Sequence, residues 1–129
     1  MKSRTPAMFA AVWLLAISFA WAGETRPFDQ ATFDRLRANG DPVLIDVYAD
    51  WCPTCKQQAP IVAALMASPE FKDFTVLKVN YDTQKDVRVK LGVAQQSTFI
   101  VFRGTREIAR STGDTGRNSI AATLRKGLS

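Results

Sequence analysis

Cys52 and Cys55 are the only thiols in a chain of 129 residues that has no histidine. They stand in the run Trp51-Cys52-Pro53-Thr54-Cys55-Lys56. Pro53 suits the first turn of a helix, so the run predicts a helix that begins near Cys52 and carries Cys55 one turn in. Side chains at i and i+3 share a helix face, which brings the two sulfurs within bonding range. Cys52 then lies where free backbone N–H groups and the positive end of the helix dipole favour a thiolate, the nucleophile of disulfide exchange. The spacing predicts a redox pair in which Cys52 attacks and Cys55 resolves. A structural staple is the weaker reading, because closing so short a loop removes little chain entropy. Histidine-activated nucleophiles and histidine metal sites are excluded, and two thiols fall short of the four ligands of a structural zinc, so no such metal site is expected.

A second chemical signal is Asp46, a carboxylate in the middle of the apolar run Val43-Leu44-Ile45-Asp46-Val47-Tyr48-Ala49. A run of that length reads as a central strand covered on both faces, and burial raises a carboxyl group's pKa. Six residues before Cys52, Asp46 is expected beneath the thiol pair, able to act as general base for Cys55 through water. Lys78, in the next predicted strand, is its expected counterpart and moderates that shift.

The elements that must position these groups follow from periodicity and punctuation. Asp29 caps a short helix with Phe33 and Leu36 inward, stopped by Gly40. The central strand is residues 43–49, and the helix from Cys52 buries Ile61, Val62, Leu65 and Met66 before Ser68-Pro69, with Pro60 as an internal kink. Residues 75–81 form a second strand, 84–91 a short helix, 98–102 a third strand and 107–112 its hairpin partner. Residues 117–128 form an amphipathic helix with Ile120, Ala121 and Leu124 inward. Strands joined through helices are expected to run parallel and the final hairpin antiparallel, giving an α/β domain with a central mixed sheet flanked by helices.

Composition bounds the rest. With 47% hydrophobic and 22% charged residues, the chain has the balance of one globular domain. Lys2 and Arg4 precede an apolar run at 7–19 and the small-x-small site Ala20-Trp21-Ala22, the pattern of a signal peptide cut after Ala22. An uncleaved anchor is the alternative. The domain is then residues 23–129, periplasmic or secreted, with 15 Lys and Arg against 12 Asp and Glu. Those cations are interleaved with other residues rather than gathered in a stripe, so nucleic-acid binding is not expected.

From Phe28 to Leu128 the chain resembles the thioredoxin family. Asp46 falls on that family's buried aspartate and Trp51-Cys52-x-x-Cys55-Lys56 on its active site. Pro60 falls on the helix-kinking proline, Lys78 on the lysine paired with the aspartate, and Gly113 on the glycine of a loop near the active site. Residues 48–52 also resemble the thioredoxin-like ends of membrane thiol:disulfide interchange proteins. The resemblance implies a thioredoxin fold and a substrate-binding loop of Gln96, Ser97, Thr98 and Gly113. It departs at Ser97, which stands where the family carries a cis-proline. A cis bond before a non-proline residue costs about 2.5–4 kcal/mol, so the Gln96–Ser97 peptide is expected either trans or held cis by packing, with Ser97 opening space beside Cys52 and offering it a hydroxyl.

The leading functional reading is a monomeric thiol:disulfide oxidoreductase without a cofactor beyond its own disulfide. Trp51, Pro53 and Thr54 support the thiols. Asp46, Trp51 and Lys78 resemble the reducing members of the family, and Thr54 stands where strongly oxidising members carry histidine. The expected direction is therefore reduction of client proteins, with electrons from a membrane donor. An oxidase or isomerase is the second enzymatic reading. The competing class is a binding module whose thiols hold a soft metal such as Cu(I), or share a cluster between two chains.

Overall fold

The computed structural model describes residues 2–4 and 22–129, so the leader and its cleavage lie almost wholly outside the described residues. In chain order the elements are β1 (Glu24–Pro27), α1 (Gln30–Ala38), β2 (Pro42–Tyr48), α2 (Pro53–Met66), β3 (Thr75–Asn80), α3 (Lys85–Lys90), β4 (Thr98–Arg103), β5 (Arg106–Thr112) and α4 (Arg117–Arg125). Single 3-10 turns occupy Pro69–Phe71 and Lys126–Leu128. The five strands form one sheet in the order β1-β3-β2-β4-β5. Among the described residues, no helix is long and apolar enough to cross a membrane.

Alternation along the strands splits the core in two, since successive side chains point to opposite faces. Leu44, Val76, Phe99 and Val101 face α2 and α4, where they pack on Val62, Leu65, Ile120 and Leu124. Val43, Ile45, Leu77, Val79, Ile100 and Phe102 face the other way, onto Phe33 and Leu36 of α1. Asp46 shares the parity of Leu44, and its register partners are Lys78 on β3 and Phe99 on β4. The carboxylate therefore sits on the sheet face that α2 covers. Asp29 caps α1 as expected, accepting from the Thr32 N–H at 2.8 Å, and Gly40 follows the helix with φ +75°.

Three expectations need correction. β2 and β3 are parallel, but β4 runs antiparallel to β2 although a helix joins β3 to β4. The six residues of α3 span only about 9 Å, whereas a six-residue strand spans about 20 Å. Such a helix cannot carry the chain back along the sheet. The connection instead crosses the sheet end, and β4 starts at Thr98 beside Val47, at the end where β2 and β3 finish. β1, with the sequence Glu24-Thr25-Arg26-Pro27, has no alternation of apolar residues to announce it. It is an edge strand parallel to β3, tied by bonds from the Gly23 N–H to the Met66 carbonyl and from the Phe28 N–H to the Lys78 carbonyl. In α2, Ile61 is half-buried at the rim of the core, and Gln58, a polar residue, occupies the inner face with Cys55, Val62, Leu65 and Met66.

Candidate active site

β2 ends in the turn that presents Trp51 and Cys52, and α2 starts at once. Cys52 is the N-cap residue of α2, with Pro53 in the first turn and Pro60 inside the helix. The Cys55 backbone N–H donates to Cys52 Sγ at 3.1 Å, so the sulfur takes the place of the usual capping oxygen. Cys52 and Cys55 are joined in a disulfide whose Cα atoms are 5.3 Å apart. Both residues are buried in this state, 1% and 8% exposed, so exposure does not distinguish attacker from resolver. The helix N-terminus and a backbone donor converge on Cys52, and both favour negative charge there.

Asp46 is 7% exposed. Burial pushes its carboxyl up from the ordinary 3.8 to about 6, and the positive charge of Lys78 offsets part of that rise. Asp46, Cys55, Tyr48, Lys56 and Lys78 line one cleft of about 210 Å³. That volume has room for water, whose share of the liquid is about 30 Å³ per molecule. The Lys78 Nζ rests 4.2 Å from the centroid of the Tyr48 ring, so its charge reaches Asp46 through space while its ammonium sits on an aromatic face.

Trp51 is 56% exposed beside the pair. Its indole Nε1–H donates to Asp82 Oδ2 at 2.9 Å. The turn carrying Asp82 is itself held by Asn80, whose Oδ1 accepts from the Asp82 and Thr83 N–H groups. Pro53 is exposed and Thr54 half-buried on the outer side of the first turn.

The loop before β4 takes the trans form of the two expected and departs from expectation in its hydroxyl. The described residues contain no cis peptide bond, so Gln96–Ser97 is trans, and Ser97 adopts φ +56°. That left-handed conformation is uncommon for a residue with a side chain and persists only where surroundings fix it. Here they do. The Ser97 carbonyl accepts from the Gly113 N–H at 2.9 Å and from Gln58 Nε2 at 3.3 Å. Thr98 Oγ1 donates to the Gln95 carbonyl at 2.8 Å. The Ser97 hydroxyl donates to the Gln96 carbonyl at 2.6 Å and is thus engaged within its own loop rather than offered to Cys52.

Three residues of the site escaped the sequence reading. Gln58 was detectable as a polar interruption of the inward stripe that starts at Cys55, because i+3 from a buried residue is again an inward position. Tyr48 and Asp82 left no comparable signal, since partners 30 and 31 positions away in the chain are set by register and turn geometry. Among the described residues, no three His, Cys, Asp or Glu side chains gather to hold a metal ion.

Against known proteins, the family model described as Thioredoxin matches residues 24–126. Trxlp from Edwardsiella tarda, in its crystal structure, is 44% identical, covers 78% of this chain and 98% of its own, and superposes with a TM-score of 0.77. Thioredoxin 1 of Nostoc sp. is 32% identical over 99 residues, which are 76% of this chain and 92% of that protein. The bifunctional thioredoxin reductase/thioredoxin of Mycobacterium leprae is 33% identical over 96 residues, and there the match spans only 21% of the relative's length.

Proposed function

Since this chain belongs to the thioredoxin family and is a thiol:disulfide oxidoreductase, we propose that it works outside the cytoplasm as a monomeric reductase of protein disulfides, recharged by a membrane electron donor. The observation that carries the reading is the Cys52–Cys55 disulfide at the N-terminus of α2, with Asp46 opening into the same cleft as Cys55. In the reduced protein the Cys52 thiolate attacks one sulfur of a client disulfide. A Cys52–client disulfide forms and the first client thiolate leaves. Asp46, ionised above its pKa of about 6, takes the Cys55 proton through water in the cleft. The Cys55 thiolate then attacks Cys52 Sγ, the second client thiolate leaves, and the Cys52–Cys55 disulfide is restored. Two electrons have passed from the dithiol to the client.

The direction rests on what surrounds the thiols. An oxidant of this type owes its high potential to a strongly stabilised thiolate in the reduced form. Here only one N–H and the helix dipole stabilise a Cys52 thiolate, the chain contains no histidine, and the buried ionisable group in the cleft beside Cys55 is Asp46, a carboxylate that repels a thiolate. That combination favours the disulfide and makes the dithiol reducing. Export rests on the leader pattern of residues 1–22.

The redox state in cells tests the proposal. Acid quenching followed by alkylation with a mass-tagged maleimide should find the cysteine pair predominantly reduced in the periplasmic fraction, with a mature chain that begins at Gly23. A pair found fully oxidised there, or a chain retained in the cytoplasm, would contradict it.

A further inference from the structure

The inner face of α2 holds one polar residue among apolar ones. Gln58 is 2% exposed. Its Nε2 donates to the Asp114 carbonyl at 2.9 Å and to the Ser97 carbonyl at 3.3 Å. Its Oε1 is buried without a partner. A methionine or leucine would leave no side-chain acceptor stranded there, but it would also leave the Asp114 carbonyl without this donor. What it supplies is a connection. Gln58 lies one turn beyond Cys55 on the same helix face, and its two acceptors belong to two separate loops. The Ser97 loop opens β4 at the sheet end where β2 delivers Cys52. The Asp114 loop follows β5, and the two loops are joined through the Gly113 N–H and the Ser97 carbonyl.

We infer that Gln58 is the positioning residue that clamps the Ser97 and Asp114 loops to the helix carrying the cysteine pair, and so fixes the backbone that a protein client meets beside the disulfide. The inference rests on the reading that the clients are protein disulfides. Ser97 with φ +56° keeps that conformation only while its surroundings over-determine it, and Gln58 is the α2 side chain bonded to its carbonyl. Without the clamp, each client must order the loops on binding, a cost that appears in association rather than in sulfur chemistry.

The test is Gln58→Met, which keeps length and apolar packing while removing both donors. The reduced variant should show a KM for insulin disulfides raised about tenfold, the weight of one to two hydrogen bonds. Its kcat should stay within about twofold, and so should its rate with the small disulfide 5,5′-dithiobis(2-nitrobenzoate), which needs no loop. Hydrogen exchange at the Gly113 amide should accelerate by about tenfold, whatever the client. An unchanged KM for insulin overturns the inference, and so does a parallel fall with insulin and the small disulfide, which would make Gln58 a support of the thiols themselves. If the wild-type protein fails to reduce insulin, the client reading fails. The Gly113 amide then decides the clamp alone, and unchanged exchange overturns it.

Discussion

Cys55→Ser should leave the protein joined to its clients through Cys52, and Cys52→Ser should capture none. Both variants should lose catalytic disulfide reduction by about 10³-fold or more, because each removes one of two sequential nucleophiles. They differ in what accumulates. With Cys52 intact, attack on a client disulfide proceeds and the first thiolate leaves, but no second thiol releases the mixed disulfide. Non-reducing gels of cells producing Cys55→Ser should therefore show protein-sized adducts that collapse with dithiothreitol. The assignment rests on the Cys55 N–H and the helix N-terminus converging on Cys52 Sγ, since both cysteines are buried in the disulfide state. Adducts formed by Cys52→Ser instead would reverse the two roles.

Asp46→Asn should stabilise the oxidised protein by about 3 kcal/mol at pH 8, from a rise of about two pKa units at 1.36 kcal/mol each, and by almost nothing at pH 3.5. The folded carboxyl releases its proton near pH 6, the unfolded one near its ordinary 3.8. Below both values the group is neutral in either state and costs nothing. As pH rises through that window, only the unfolded chain has ionised, so stability falls until the folded group ionises too. Above about 6 the full penalty of burying the charge remains. Asparagine removes it. Denaturant midpoints at the two pH values measure the difference, and an equal gain at both would mean that burial of the charge is not the cause. The same variant should slow release of the mixed disulfide by roughly 10²-fold, the usual scale of a lost general base. Together these two results would show that Asp46 destabilises the fold at neutral pH in return for proton transfer at Cys55.

How much of this was readable from the residues depends on whether the signal was local. The helix of Cys52 was readable because Pro53 marks a first turn, and Asp46 stood out because every neighbour in its strand is apolar or aromatic. The inward faces of α1 and α4 followed from helical spacing, and Phe33, Leu36, Ile120, Ala121 and Leu124 are all buried. The direction of β4 did not follow, because it depends on how far a six-residue helix can carry the chain relative to a strand, and not on any residue type. β1 was missed for want of an apolar alternation, its pairing resting on backbone bonds to β3 and the end of α2. Ser97 shows the limit most clearly. Its identity pointed to a departure in the loop, yet a left-handed serine is written in no local preference. It is imposed by Gly113 and Gln58, 16 and 39 positions away.

Whether this dithiol donates electrons is decided by one equilibrium. The purified protein, equilibrated with graded ratios of reduced and oxidised glutathione and quenched in acid, gives the potential of the Cys52–Cys55 couple from the fraction reduced. A potential of about −270 mV is expected, where a reducing thioredoxin lies. A potential of about −120 mV, where the dithiol is the more stable form and the disulfide is readily given away, would make the protein an oxidant instead.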